Sequence, residues 1–548
     1  MNNHNQAPTL SPQPCISDYV SYHARHTPDR EAVIFGDQRL TYAELETQVQ
    51  CCAKALMAVG VEKGDRVSVL CTPRLEYWIT FLAVTSIGAI WLGLNPKYKL
   101  PEIRYVLEDA QPILLLAMMG FEGHDNAEII GAVQQDYSFI KQVIALTGYL
   151  PNTTTFDDFL TNAASVMDCD LVQRKAQMNT FDPALLVYTS GSTGKPKGAL
   201  LSHYGLCFGA EVQNQHYQLK QPRLVCSFPI NHVACVADTC CVNLVAGGTL
   251  VFQERFDAQM QLRAIREEKL NLLLGVPTML LMLLEHPDFT RADLSSLKMI
   301  VWGGATLPAP IIKRLQQLVP RLMNVYGMTE TAANTTYSSV DADITELSET
   351  IGHPSPYMPC RIVNGEGKVC EVGEEGELQF KGDYLLLEYI NRPEATKAVY
   401  IDDGWLHSGD LGYWREDGTI TLVGRLSDMF KSGGYNVYPR EIENLLESHP
   451  SIEMAAVVAV PDDRFQEVGI AYVILSCQEN GATTEEVLIT YCKEHLANYK
   501  VPKTISIVKS LPTLAVGKVD KVALKQQAIT VLNEKAKTCN NKQSVTSQ

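Results

Sequence analysis

The segment YTSGSTGKPKGAL, Tyr188 to Leu200, sets three glycines, two lysines and five hydroxyl side chains within thirteen residues. It follows an apolar run, Ala184 to Val187, that reads as a buried strand. A loop of small residues after a strand can curl its backbone N–H groups inward into an anion-binding nest. Hydroxyls add donors, Lys195 and Lys197 add positive charge, and a triphosphate is the natural guest. The frame is not that of a P-loop, which would need glycine at Thr189 and a hydroxyl residue at Pro196. A conventional P-loop NTPase or kinase is thereby disfavoured, and a Gly/Ser linker is the competing reading of the loop alone.

Further candidates follow along the chain. NVYGMTE, Asn324 to Glu330, brings an aromatic ring, a glycine, a hydroxyl and a carboxylate together. HSGDLG, His407 to Gly412, predicts Asp410 in a tight turn, suited to a diol such as ribose. GRLSDMFKSGGYNVYPREIE, Gly424 to Glu443, joins basic residues, a turn and a diglycine, and LPTLAVGKVDK sets Lys518 on a glycine turn. Each has a plainer reading: Asp410 as a turn former, Glu330 as a charge at a helix start, Lys518 as a solvated lysine.

The elements that must position these residues are legible from periodicity. Thr41 and Glu44 form a T-x-x-E capping box, apolar residues recur at helical spacing from Leu45 to Val59, and Gly60 supplies the stop. A strand over Arg66 to Cys71 follows, and the alternation continues to about residue 335: Leu272 to Leu274, a helix from Pro277, then Lys298 to Trp302. The uncharged stretch Tyr77 to Asn95 reads as a buried helix and strand, not a membrane span. From about 350 to 425, short runs between Gly and Asp-Gly turns predict a small antiparallel β unit. A second α/β pattern follows Arg425, with a helix from Pro439, strands over Ala455 to Val460 and Ile470 to Ser476, and a helix from Thr484. The 548 residues exceed one ordinary core, and the net charge of −16 argues against a general nucleic-acid binder. The fifteen cysteines show no zinc-site spacing and read as buried reduced thiols. With no signal peptide evident and no S-K-L ending, the expected location is cytoplasmic.

Taken in order and spacing, these motifs resemble the acyl-adenylate-forming superfamily, which includes acyl-CoA synthetases, peptide-synthetase adenylation domains and firefly-type luciferases. The resemblance runs from about Ile16 to Lys525. It implies an α/β fold: a large N-terminal domain (1–427) of mainly parallel sheets flanked by helices plus the small β unit, and a small mobile α+β C-terminal domain (428–548) with a frayed tail from about 535. It implies ATP, Mg²⁺ and coenzyme A as cofactors. Thr189, Ser190, Gly191, Ser192, Thr193, Gly194, Lys195 and Lys197 would form the mobile loop on the β- and γ-phosphates. Gly303, Gly304 and Ala305 in WGGATLP would line the adenine slot, with Tyr326 against the ring and Asn324 near its amino group. Thr329 would contact the α-phosphate, Glu330 with Thr189 would serve the metal, and Asp410 would bind the ribose hydroxyls with Arg425 nearby. Asp428 matches the hinge and Lys518 the lysine of the adenylation transition state. Lys431, Gly433 and Gly434 would lie where the pantetheine arm of CoA passes.

Three departures stand out. Val516 precedes Gly517 where Ser or Thr is frequent, Ser408 replaces a usual Thr, and Tyr435 follows the diglycine where an acidic residue is frequent. None removes a core catalytic group. FPINHVACVADTC, Phe228 to Cys240, matches the motif whose histidine, here His232, often gates the acid site. That segment lacks the acidic residue that amino-acid-activating domains use to hold an ammonium. Gly327 does not close the pocket as the tryptophan of acetyl-specific relatives does, whereas Trp302 is expected either to shape one wall, with His232 and Val233, or to pack behind the sheet. The expectation is an ATP-dependent acid:CoA ligase for an acid larger than acetate: medium-chain, branched, cyclic, aryl or carnitine-like. Loading of a carrier protein and a non-catalytic nucleotide-binding homologue remain the alternatives. Its partners are the acid, ATP and CoA, with no nucleic acid and no transmembrane segment, and a homodimer is left open.

Overall fold

The computed structural model describes residues 10, 12–149, 152–189, 196–401, 403–432, 434–462, 464–476, 483–514 and 517–532. Thr41 caps the helix Tyr42–Ala58 as its sequence predicts: its side chain accepts from the Glu44 N–H and Glu44 returns the bond to the Thr41 N–H. The uncharged stretch folds as helix Leu75–Ser86, buried on all sides, followed by strand Ile90–Leu94. Trp78, Trp91, Tyr77 and Phe81 are fully buried there. Each such ring contributes roughly 2–3 kcal/mol by leaving water. No described helix is long and apolar enough to cross a membrane.

Among the described residues an eight-stranded sheet forms the frame. Its parallel part runs Pro183–Thr189, Ile90–Leu94, Arg66–Leu70, Leu114–Met118, Gln142–Thr147, Thr154–Thr155. Lys197–Ser202 and Glu388–Tyr389 add antiparallel strands at one edge. A second sheet has Leu272–Gly275, Met299–Gly303 and Arg321–Gly327 in parallel, then Asn334–Tyr337 and His353–Pro354 antiparallel. A third sets Arg223–Cys226, Thr249–Phe252 and Glu31–Phe35 in parallel, with Gln38–Thr41 returning antiparallel. Helices cover these sheets, as near-continuous apolar strands require. The fold is α/β with mixed sheets.

Cys360–Val363, Gly376–Lys381, Trp405–Trp414 and Ile420–Arg425 form a separate antiparallel sheet. Beyond it, Phe430–Ser432, Tyr435–Val437, Ile452–Asp462, Gln466–Leu475 and Thr504–Ile507 build the sheet of the smaller C-terminal domain. Helices Pro439–Ser448 and Glu485–His495 pack against that sheet around their own core, including Ile442, Leu446, Val457, Leu488 and Ile505.

Candidate active site

The glycine-rich loop connects two strands of one hairpin. Its ends, Thr189 and Lys197, are register partners at the end of that hairpin, whose second strand is covered by Glu388–Tyr389 at the sheet's edge. Ser190, Gly191, Ser192, Thr193, Gly194 and Lys195 lie outside the described residues. Lys197 Nζ stands 4.9 Å from the centre of the Tyr389 ring, and the Tyr389 hydroxyl donates to Glu330 Oε1 at 2.6 Å. Tyr389 therefore ties the loop's base to the carboxylate of the Y-G-M-T-E segment. No motif signalled Tyr389, because it comes from a two-residue strand some 60 residues beyond Glu330. The Glu330 carbonyl also accepts from the Leu386 N–H at 2.8 Å, fixing the short helical turn Thr329–Thr331.

Asp410 does not lie in a tight turn. It is inside strand Trp405–Trp414, paired with Arg425, and the bend is carried by Gly409 at φ +71°. The Ser408 hydroxyl donates to the Leu378 carbonyl and accepts from the Asp410 N–H, so a hydroxyl at 408 does local work without threonine's methyl. Asp410 is buried, its Oδ1 accepting from Arg425 Nε at 2.8 Å and its Oδ2 from the Tyr326 hydroxyl at 2.6 Å. The ring expected against adenine and the carboxylate expected on ribose are thus one hydrogen-bonded unit. Asn324 is buried beside them, its Nδ2 donating to the Thr350 carbonyl at 2.8 Å.

His232 caps the turn Val233–Cys235, with Nδ1 accepting from the Ala234 N–H at 3.1 Å. That bond leaves the ring proton on Nε2. Desolvation, then the field of Lys518, hold the His232 pKa down at about 4, so the ring is a neutral donor at pH 7. Val233 is buried in the main core beneath it. The sequence reading missed Asp238, in the π-helical turn Val236–Cys241 that follows. The segment does bring an acidic side chain to the cleft, one turn deeper than the position next to the histidine. The Asp238 field reaches Lys518, and the Lys518 field reaches both Asp238 and His232.

Lys518 belongs to the C-terminal domain yet lies on the N-terminal one. A Cβ built on Gly304, which has φ +84°, would stand 2.6 Å from Lys518 Cε. Gly517 beside it is pinned where the Thr278 hydroxyl donates to the Gly517 carbonyl at 2.8 Å, and Arg440 bonds the Thr306 hydroxyl. Lys518 is exposed at the seam between the two domains, with its Cε against Gly304. Desolvation there, then Arg425, lower its pKa, while Asp410 and Asp238 oppose the shift. Lys431 and Gly434 sit exposed on the hairpin of Phe430–Ser432 and Tyr435–Val437, and Gly433 lies outside the described residues, as does Val516. Asp428 is exposed, its carboxyl accepting from the neighbouring Ser427 hydroxyl.

One of the two places expected for Trp302 is taken, and one grouping is new. Trp302 is fully buried in a second core with Leu280, Ile300 and Ile312, so it packs behind the sheet and is no pocket wall. Strand alternation is the reason: Val301 faces the main core and Trp302 the opposite side. Cysteine spacing gave no hint of clustering, but the π-helical turn gathers Cys226, Cys235 and Cys240, all buried, with thiols within 4.8 Å of one another. Gly327 ends its strand where a Cβ would meet the Ala333 carbonyl oxygen at 2.5 Å, so backbone proximity demands glycine there.

This geometry, a loop-ended hairpin, a Tyr–Asp–Arg unit and a lysine brought in by a second domain, coincides with family models. The AMP-binding enzyme model matches residues 20–390, and that of the AMP-binding enzyme C-terminal domain matches 441–518. The chain belongs to the AMP-binding enzyme family. Feruloyl-CoA synthase of Amycolatopsis sp is 34% identical over 499 residues, 90% of this chain and 95% of the relative. Mitochondrial medium-chain acyl-CoA ligase ACSF2 of Bos taurus is 30% identical over 536 residues, 93% of this chain and 87% of the relative. Among solved structures, o-succinylbenzoate CoA synthetase (MenE) from Bacillus subtilis, in complex with the acyl-adenylate intermediate OSB-AMP, matches with a TM-score of 0.76 and 28% identity. It covers 94% of this chain and 99% of that one. This AMP-binding enzyme is an AMP-forming acid–thiol ligase of the acyl-CoA synthetase kind.

Proposed function

We propose that the chain joins a carboxylic acid larger than acetate to coenzyme A, using ATP and passing through an enzyme-held acyl-AMP. The observation that carries this reading is Lys518 resting on Gly304, in a cleft shared with His232 and the Tyr326–Asp410–Arg425 unit. A carboxylate oxygen bonds to the α-phosphorus while the bond to the pyrophosphate oxygen breaks. Both reactants are anionic, and the transition state gathers more negative charge, so preorganised positive charge lowers the barrier. Lys518 supplies it from the C-terminal domain, and His232 Nε2–H can hold the carboxylate without protonating it, since its pKa is about 4. Asp410 has both oxygens engaged and would accept ribose hydroxyls by exchange with the Tyr326 hydroxyl or as additional acceptor.

Glu330 keeps Oε2 clear of the Tyr389 bond, and with the Thr189 hydroxyl it makes a hard oxygen donor set suited to Mg²⁺ carried on phosphates. Mg²⁺ held there would offset the charge of the triphosphate. In the second half-reaction the CoA sulfur bonds to the acyl carbon and AMP leaves. That step needs the thiol where Lys518 now stands, and turning the C-terminal domain about Asp428 would bring Lys431, Gly433 and Gly434 toward the cleft.

The test is acid-dependent ATP–pyrophosphate exchange across an acid panel, repeated with CoA while thioester is measured. Exchange together with thioester supports the reading. Exchange without thioester on CoA favours carrier loading, and no exchange despite ATP binding favours a non-catalytic homologue.

A further inference from the structure

The cleft contains a carboxyl group that adenylation does not use. Asp238 Oδ1 accepts from Gln213 Nε2 at 3.2 Å. Gln213 is itself held by Asn334 Nδ2 at 2.7 Å and by the Tyr217 hydroxyl at 3.3 Å, and all three partners are buried. The network grips Asp238 from one side. Among the described residues no side chain donates to Oδ2 and no cation pairs with the group; Lys518, across the cleft, acts on it only through its field. Asp238 also keeps accessible surface, as does Ala234 on the preceding turn, while Val233, Cys235, Val236 and Ala237 beside them are buried in the main core, so one face of the stretch is open and the other packs inward. It lies in a π-helical turn, a local irregularity that tends to appear where a helix is bent to serve a site.

Resting on the ligase reading above, we propose that the acid this enzyme activates carries a hydrogen-bond donor, a hydroxyl or an amine, remote from its carboxylate, and that Asp238 accepts it. The reacting carboxylate belongs beside Lys518 and His232 Nε2–H. From there the rest of the molecule runs along the 233–241 turn, and Asp238 is six residues beyond His232. A hydrocarbon tail covering Oδ2 would strip water from a carboxyl group and return nothing, which binding sites penalise. A donor restores the lost bond. Desolvation pushes the Asp238 carboxyl up to about 7, with Gln213 and Lys518 opposing. A bound donor favours the ionised form. The carboxyl sits one turn away from the place next to His232 where an α-ammonium would be held, so a distal donor fits and an α-amino acid does not.

The test compares matched acids of equal length: unsubstituted, ω-hydroxy and ω-amino alkanoates, and aryl acids with and without a ring hydroxyl. The readout is kcat/KM in ATP–pyrophosphate exchange for the natural chain, Asp238→Asn and Asp238→Leu, each checked for thermal unfolding. The expected result is a preference of about tenfold or more for a donor-bearing member. Asp238→Leu should reverse it, raising the unsubstituted acid and lowering its partner. Asp238→Asn, the safer variant for folding, should keep a hydroxyl preference and lose an amine preference. Equal turnover of matched members by the natural chain, or a proportional loss of both in Asp238→Leu, would overturn the proposal while leaving the ligase reading standing. No exchange with any acid would overturn the ligase reading and this inference with it.

Discussion

Lys518, from the C-terminal domain, rests on Gly304 of the N-terminal domain so closely that a Cβ at Gly304 would stand 2.6 Å from Lys518 Cε. The contact exists because two backbone positions lack side chains. Gly304 has φ +84°, and Gly517, at φ +80°, stands where a Cβ would lie 2.8 Å from Val276 Cγ2 and 3.1 Å from Thr278 Oγ1. The flexible lysine is the partner that must give way if Gly304 gains a methyl group.

Gly304→Ala should therefore displace Lys518 as well as cost about 1–2 kcal/mol of backbone strain. Exchange of pyrophosphate into ATP should fall more than thioester formation from supplied acyl-AMP. An unchanged exchange rate would mean that the lysine reaches its working position by another route.

Lys518→Ala removes the ammonium itself. Adenylation should drop by about 10²–10³-fold, the usual loss for one transition-state donor. Thioester formation from preformed acyl-AMP should be spared, and equal losses in both half-reactions would count against exchange of domains at one site.

Tyr389→Phe deletes the hydroxyl that donates to Glu330 Oε1. A hydrogen bond to a charged group contributes about 2 kcal/mol, so the Mg²⁺ requirement for ATP use should rise roughly thirtyfold. The thermal midpoint should move only slightly. A magnesium titration that overlays the natural chain would remove Tyr389 from the metal's surroundings.

The domain contact also predicts a pH response. Glu453, on strand Ile452–Asp462, hydrogen-bonds Glu285 at the end of helix Pro277–Glu285. Desolvation, then Glu285, raise its pKa from 4.5 to about 7, with Arg314 opposing. Undocking returns it toward 4.5, so the docked state holds the extra proton between those values. By linkage, docking is favoured fully below about 4.5 and weakens as pH rises to about 7. Limited proteolysis of the segment around Asp428 should accelerate over that window, and Glu453→Gln should flatten the response. A Glu453→Gln profile that keeps the natural pH dependence would place the titrating group elsewhere.

Trp302→Ala should cost about 3–5 kcal/mol of stability by opening a cavity in the second core. Trp302→Phe should fold and leave the order of preferred acids unchanged. A shift toward bulkier acids in Trp302→Phe would return this residue to the pocket.

Much of this molecule was legible from its chain. Local signals carry local structure, so the Thr41–Glu44 box, the helix from Pro439 and the buried pair of elements between Leu75 and Leu94 all stand where periodicity put them. Acyl adenylation was legible only through the resemblance of the ordered motifs to a known superfamily, since each motif alone had a plainer reading. Only the tertiary structure set Tyr389 on Glu330, placed Asp238 in the cleft and turned Trp302 away from it. Those outcomes depend on which face of a strand or helix meets which neighbour, and on partners brought from distant segments of the chain. No local pattern encodes that. The same holds for Lys518: its sequence supplies a lysine on a glycine turn, but only packing of one domain on the other brings that charge to Gly304.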